Sequence, residues 1–346
     1  MISEFSQIDE KALHELLQQH WGIDADISQL PSYSDKNFRL RCGEREFVAK
    51  LANPDWNYAD LDFENQALLH LQKQQLPLQL PRVQHSLCGQ HLLALPVVWR
   101  GQTQQTYLRL LSFVPGVTYQ CLASQLIQQE RYQDLTQLEI SLGQSVAAMT
   151  LGLADFNHSQ ANRMHDWNLL RLADLRANLA WISESKLHHQ LELCLNLFEQ
   201  ELALNRNELP MQVIHNDAND LNLIVSQTEV TGLIDFGDMC HSLRVADLAI
   251  AITYALQFSC DARASLLTIT RAYLQRNRLS LVELKMLLPC VLGRLSQSIL
   301  LAAQAAHEQP ENAFAQVSQK AVRAMLHEFA QLDRVSLERD LLQLLN

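Results

Sequence analysis

The sequence predicts an α+β protein of two lobes, a small N-terminal β-sheet lobe with one helix over residues 1–114 and a larger, mainly helical lobe over residues 115–346. Three observations predict it. A chain of 346 residues is long for a single hydrophobic core. Short β-prone runs are concentrated between Ser32 and Phe113, and beyond Pro115-Gly116 apolar residues recur at intervals of three and four.

Taken in order, "NFRLRC", "EFVAKL", "HLLALPVVW" and "TYLRLLSFV" read as strands because β-branched and aromatic residues alternate with polar ones. "ADLDFENQALLHLQKQ" interrupts them with a helical period. The segment Leu111 to Gly116 then marks the boundary between lobes. Beyond it, "LEISLGQSVAAMTLGLADF", "WNLLRLADLRANLAWI", "LHHQLELCLNLFEQELALN", "RVADLAIAITYALQF", "ARASLLTITRAYLQRN", "LVELKMLLPCVLGRLSQSILLAAQAA" and "NAFAQVSQKAVRAMLHEFAQL" each carry one apolar stripe suited to a buried helix face. No repeat, low-complexity tract or heptad array is present.

Composition narrows the partners. A formal net charge of −11 argues against a nucleic-acid backbone or an anionic membrane surface and leaves neutral or cationic small molecules compatible. The seven cysteines are odd in number and widely spaced, without a C-x-x-C pair, as expected of reduced thiols rather than a zinc or redox site. "MISEFSQIDEKALHELL" has acidic residues where an export signal needs basic and apolar ones. The run "VADLAIAITYAL" is far shorter than the roughly 20 residues that span a bilayer. A cytoplasmic protein is expected; oligomeric state is not legible.

The chemistry is concentrated in "VIHNDANDLNLIVSQTEVTGLIDFGD", Val213 to Asp238. Leu223-Ile224-Val225 and Val230 to Ile234 read as a hairpin around Ser226 to Glu229. If Val225 faces Val230, Asn222 lies opposite Leu233 and the hairpin returns Asp235 to its neighbourhood, since paired strands run about 4.8 Å apart. An amide and a carboxylate oxygen there suit Mg²⁺, which takes few protein ligands and fills its shell with water and phosphate. Asp217, in the loop entering the hairpin, is placed to accept a hydroxyl proton. The order is D-x-x-x-x-N followed by D-F-G, the base, metal amide and metal carboxylate arrangement of kinases.

"HNDANDLN" with "IDFGD" resembles the aminoglycoside phosphotransferase and choline kinase-like superfamily, whose loop usually reads H-G-D-x-x-x-x-N. Here Asn216 stands where Gly is usual, which leaves every proposed ligand in place but is expected to alter the loop's backbone angles, since Asn tolerates positive φ less readily than Gly. The resemblance implies a bilobal protein-kinase-like fold. It narrows toward the hydroxylysine kinase branch on "LPSYSDKNFRL", on the Asn two residues after the base, and on "DFGDMCHSLRVADLAIAITYAL"; it runs from about Leu30 to Gln257 and more loosely beyond.

The first lobe supplies an independent expectation. Val48 and Lys50 share a strand face, placing Val48 over an adenine and Lys50 on phosphate oxygens, with Glu64 as the helix carboxylate that pairs with Lys50. The phosphate-covering segment between Pro31 and Leu40 has no glycine, so Ser32, Ser34, Asp35 and Asn37 are expected to shape the turn through side-chain bonds, with Ser34 and Asn37 nearest the nucleotide. Backbone near Leu111 and Phe113 is expected at the adenine edge. The cofactors implied are ATP or GTP with Mg²⁺ on Asn222 and Asp235. Asp217 and Asn219 are the candidate catalytic residues, and Asp238, Trp167 and Arg294 the candidate acceptor residues, carboxylate and aromatic face suiting an ammonium group and a buried Arg a carboxylate. His215 and Asp247 read as supports of the loop.

The expected activity is transfer of a γ-phosphate to a hydroxyl of an amino alcohol or hydroxylated amino acid. A stress-response type protein Ser/Thr kinase shares these motifs, but no A-P-E-like activation segment follows "DFGD". A nucleotide-binding regulatory module that has lost catalysis is the third reading, supported by Asn216 and the glycine-free loop. A metal-dependent hydrolase would cluster aspartates without needing Lys50 and Glu64.

Overall fold

Asp9 caps the first helix: its carboxylate accepts from Ala12 N at 2.9 Å, Leu13, Leu17 and Trp21 form one buried face, and Gly22 at φ +66° ends the turn, so α1 spans Glu10–Trp21. With this helix the first unit has two helices where the sequence reading has one. The computed structural model describes residues 3–5, 8–32, 35–308 and 319–345. The chain divides into two compact units, Met1–Gln75 with Gln79–Pro115 and His158–Gln160, and Leu76–Leu78 with Gly116–Asn157 and Ala161–Asn346.

In the first unit β1 (Ser3–Glu4), β2 (Asp26–Leu30), β3 (Lys36–Cys42), β4 (Arg45–Leu51), β5 (Val83–Gln84), β6 (Leu93–Trp99) and β7 (Gln102–Ser112) form a seven-stranded sheet. Its order is β1-β6-β7-β4-β3-β2 with β5 added alongside β7, and β1 alone joins parallel. Strand alternation decides which residues reach the core. On β4, Phe47, Ala49 and Leu51 are buried with Leu13, Leu17, Phe38 and Leu40, which leaves Val48 and Lys50 half-buried on the opposite face. The second helix, α2 (Tyr58–Leu71), starts at Asn57, whose side chain accepts from Asp60 N at 3.0 Å.

The second unit is mainly helical: α3 (Tyr119–Gln128), α4 (Tyr132–Gly152), α5 (Ser185–Asn205), α6 (Arg244–Ala255), α7 (Ala262–Leu274), α8 (Leu281–Glu308), α9 (Gln319–Phe329) and α10 (Arg334–Gln343). Helices α4 and α7 touch at Gly143, where an added Cβ would overlap the Ile269 carbonyl oxygen, so only Gly allows the approach. Segment Leu169–Trp181, expected as an α-helix, is a 3₁₀ helix. Its buried Leu169, Leu172, Leu175 and Asn178 recur every third residue, the period at which a 3₁₀ helix keeps one face inward. The longest helix, α8, is long and apolar enough by composition to cross a bilayer, which a search for uninterrupted apolar runs overlooks. Of its most apolar window 83 % is buried inside the protein, so α8 is the central packing helix of this unit.

Two small sheets carry the loops of interest. β8 (Val117–Thr118), β10 (Leu223–Ser226) and β11 (Glu229–Leu233) form one in the order β11-β10-β8; β9 (Met211–Ile214) and β12 (Cys240–Leu243) form the other. Val225 faces Val230 as the turn at Ser226 to Glu229 requires, and a bulge between Ile224 and Val225 then sets Leu223, rather than Asn222, opposite Leu233. The bulge brings Asn222 one step nearer the returning strand: Ile234 N donates to Asn222 O at 3.0 Å.

Candidate active site

The loop between β9 and β10 is held from beneath by α6. Asp247, in the first turn of that helix, accepts from His215 N at 3.2 Å and Asn216 N at 2.8 Å, and burial raises its pKa to about 6. His215 is fully buried, with Asp217 N donating to its Nδ1 at 3.2 Å; burial lowers its pKa to about 4 despite the nearby charges of Asp235 and Asp238. Both are supports of the loop in this geometry.

Asn216 explains how the loop forms without Gly. Its φ is +65°, the left-handed region that Asn enters more readily than other non-Gly residues. Its buried side chain then bridges two neighbouring segments, donating from Nδ2 to Asp238 O at 3.0 Å and to Trp167 O at 3.3 Å. Asp235 also has a positive φ, +61°, so two turns of the site store backbone strain that surrounding contacts must hold.

Three side chains make four hydrogen bonds to the Asp217 carboxylate. Asn219 Nδ2 reaches both oxygens at 3.0 Å, Asn222 Nδ2 reaches Oδ2 at 2.7 Å, and Arg294 reaches Oδ1 at 3.3 Å. Asn219 Oδ1 in turn accepts from Leu221 N and Asn222 N, so one asparagine orders both the carboxylate and the turn leading to Asn222. Burial and the charges of Asp238 and Asp235 push the Asp217 pKa up, opposed by Arg294 and Asn219. Asp238 moves the other way: burial opposes its charge, but the bond from His165 at 3.1 Å and the Arg294 charge hold it below the usual aspartate range.

The segment 163–168 is fastened to this loop throughout. Arg163 donates to the carbonyls of Gly237 and Met239, and Asn168 bonds His241 O and Ser242 Oγ. Trp167 is half-buried, with the Arg294 guanidinium 4.4 Å from its ring centre. Asp217, Asn219, Asn222, Asp238, Trp167 and Arg294 are thus brought together, and Asp235 lies close enough for its charge to act on Asp217. Arg163 and His165 went unnoticed in the sequence because neither belongs to a spaced motif.

In the first unit, register sets the neighbours of Lys50: Asn37 on β3 and Arg109 on β7 are its cross-strand partners. Arg109 is buried and ion-paired with Glu64, and it also donates to Asn65 Oδ1 at 3.1 Å. Glu64 therefore has an arginine partner that the sequence reading, directed at Lys50, did not include. The Lys50 charge acts on Asp35, whose carboxylate accepts from Asn53 N at 3.0 Å and whose pKa burial raises. Asn37 donates to Ser32 Oγ at 3.2 Å, a side-chain bond of the kind expected in a glycine-free turn, and Ser34 lies outside the described residues. Val48 faces Leu111 across the strands, and Phe113 N donates to Glu46 O at 3.0 Å while its ring lies 4.1 Å from the Arg39 guanidinium.

The donor set fits Mg²⁺. Asn222 and Asp235 offer a hard amide and a carboxylate oxygen, the donor chemistry Mg²⁺ takes when phosphate and water complete its shell. A cavity of about 330 Å³ lined by Trp181, Glu184, Ala302 and Arg323, among others, shares no residue with the Asp217 cluster.

The chain is 25 % identical over 313 residues to hydroxylysine kinase of Mus musculus, covering 83 % of this chain and 79 % of that protein. It is 26 % identical over 326 residues to hydroxylysine kinase of Xenopus laevis, covering 88 % and 85 %. Among solved structures, an amicoumacin kinase in complex with AMP-PNP, Ca²⁺ and its ligand superposes with a TM-score of 0.69 at 14 % identity over 95 % of this chain and 97 % of that one. A microcompartment-associated aminopropanol kinase superposes with 0.67 at 14 % identity over 97 % and 100 %. These structures share the fold, an N-terminal β-sheet region followed by a mostly helical one. The model of the phosphotransferase enzyme family matches residues 26–280, and on that match the chain belongs to this family, as a phosphotransferase with a small-molecule hydroxyl as acceptor.

Proposed function

We propose that the protein transfers the γ-phosphoryl group of ATP or GTP to a hydroxyl of a hydroxylated amino acid or amino alcohol of the hydroxylysine type. The observation that carries this reading is the Asp217 carboxylate, held on both oxygens by Asn219 and additionally by Asn222 and Arg294. A carboxylate fixed in this way orients an acceptor hydroxyl and takes its proton late in transfer. Asn219 keeps it in register. Asn222 and Asp235 are the residues that would hold Mg²⁺, which when bound neutralises phosphate charge. Lys50, with Asn37 and Arg109 beside it on the strand face and Glu64 balancing Arg109, is the cation for nucleotide phosphates, and Val48, Leu111 and Phe113 supply the apolar side of the base site. Residues 1–114 are on this reading the nucleotide-binding part and residues 115–346 the catalytic and acceptor part. The half-exposed Asp238 carboxylate offers an ammonium group a partner, and the half-buried Trp167 ring offers it an aromatic face. The hydroxylysine kinases among the relatives support an acceptor carrying both hydroxyl and ammonium groups.

The test is coupled release of nucleoside diphosphate with Mg-ATP or Mg-GTP over a panel including 5-hydroxylysine, homoserine and aminopropanol. Asp217→Asn is expected to lower kcat by at least about 10²-fold, with Mg-nucleotide affinity within a few-fold of wild type by calorimetry. Silence across the panel, or a fully active Asp217→Asn, would overturn the reading.

A further inference from the structure

Arg294, in the middle of α8, has the largest fully buried side chain among the described residues, and its side chain is 1 % exposed. A guanidinium shut off from water needs its charge and donors matched within the protein. NH2 donates to Asp217 Oδ1 at 3.3 Å, and NH1 donates to Trp167 O at 3.1 Å and Gln297 Oε1 at 3.3 Å. The Trp167 and Tyr254 ring centres lie 4.4 Å and 5.8 Å from the guanidinium carbon. Nε has no partner and is closed to solvent. An arginine built to seat a carboxylate from outside presents a pair of parallel donors to open space. Here every donor is turned inward or walled off.

We propose that Arg294 is a positioning residue for phosphoryl transfer: it fixes the Asp217 carboxylate from the body of α8 and offsets the neighbouring carboxylates, without touching the acceptor. This rests on the reading of Asp217 as the base. Asn219 and Asn222 belong to the same loop as Asp217 and move with it, whereas Arg294 is 77 residues away in sequence and ties that loop to a buried helix. Through Trp167 O the same guanidinium also anchors the segment that carries His165, the partner of Asp238. Asp238 and Asp235 both act on Asp217 as like charges, and Arg294 is the cation that opposes them there. Removing it leaves Asp217 held only by asparagines of its own loop, which can shift with it away from Asp238, so the cost falls on the geometry of proton acceptance and not on acceptor affinity.

The test uses the whole chain with Mg-ATP and 5-hydroxylysine, comparing wild type, Arg294→Gln, Arg294→Lys, Asp217→Asn and the Asp217→Asn/Arg294→Gln double variant. Arg294→Gln is expected to lower kcat about 10- to 10²-fold, with acceptor KM and Mg-ATP Kd within about 3-fold. Arg294→Lys keeps the charge without the planar fork and is expected to recover part of the loss. In the Asp217→Asn background the second substitution is expected to cost less than about 2-fold, because its effect runs through the missing carboxylate. A rise in acceptor KM with kcat retained makes Arg294 an acceptor anchor and overturns the proposal, as does a full multiplicative loss in the Asp217→Asn background. If circular dichroism shows Arg294→Gln unfolded, the same kcat and KM comparison is read from Arg294→Lys, where unchanged kcat overturns it. A wild type inactive with 5-hydroxylysine, homoserine and aminopropanol overturns the kinase reading together with this one; an active wild type confines any failure to Arg294.

Discussion

At the scale of single residues, Asn216 shows how a loop manages a left-handed turn without Gly. The side chain meets the cost of φ +65° with bonds to Trp167 O and Asp238 O. Asn216→Ala loses both bonds, each worth about 0.5–1.5 kcal/mol, and keeps the strained backbone. Asn216→Gly loses the same bonds but relaxes the strain, worth about 1–2 kcal/mol. The expected stability order in urea is wild type, then Asn216→Gly, then Asn216→Ala, and an alanine variant as stable as wild type would show that these bonds contribute nothing. That Asn216 replaces a usual Gly was legible from the motif; that the loop keeps a left-handed turn there was not. The two carbonyls the Asn side chain reaches were not, because segment 163–168 meets the loop only in the folded chain.

At the scale of elements, the hairpin was legible because turn chemistry and apolar pairing act over a few residues, and Val225 does face Val230. The bulge was not: its extra residue, Thr231, lies on β11 in a run, Val230 to Ile234, that reads as plain strand. Segment Leu169–Trp181 was legible as helical but not as 3₁₀: Leu169, Leu172 and Leu175 repeat at three, and Leu179 then adds the fourth-residue step of an α-helix. Arg109 shows what only pairing reveals, because its place beside Lys50 comes from β7 lying next to β4. The pair it makes with Glu64 joins α2 to the sheet, with both side chains almost fully buried. Arg109→Ala leaves the Glu64 carboxylate buried without that partner, and a loss of about 3–5 kcal/mol in urea unfolding is expected. The double variant Arg109→Met/Glu64→Leu should recover most of it, because no uncompensated charge remains. A single-variant loss below about 1 kcal/mol, within the range of exposed pairs, would mean that Lys50 alone is able to neutralise Glu64.

For the whole molecule, the buried titrating groups of the loop set opposing slopes of stability against pH. His215 has its pKa lowered from 6.5 to about 4 by burial, so between those values the unfolded chain binds a proton that the folded chain refuses. Its contribution is present above pH 6.5 and is lost as pH falls toward 4. That difference between the folded and unfolded imidazole corresponds to about 3 kcal/mol. Asp220 acts in the reverse sense: burial raises its pKa from 3.8 to about 6, so the folded chain holds a proton that the unfolded chain releases, and its contribution is lost as pH rises through that window. The two overlap, and Asp247, also raised to about 6, adds to the second. Asp217, whose pKa is also pushed up, acts in the same sense as these carboxylates, so the wild-type curve sums opposing slopes and single variants measured against wild type separate the contributions. His215→Gln should gain on wild type by up to about 3 kcal/mol as pH falls from 7 to 4, and Asp220→Asn should gain by a similar amount as pH rises over the same range. Changes in net charge act on wild type and variants alike and cancel in each difference. Urea unfolding at half-unit pH steps reads both differences, and parallel curves for wild type and His215→Gln would mean that the imidazole is reached by water and its proton in the folded chain.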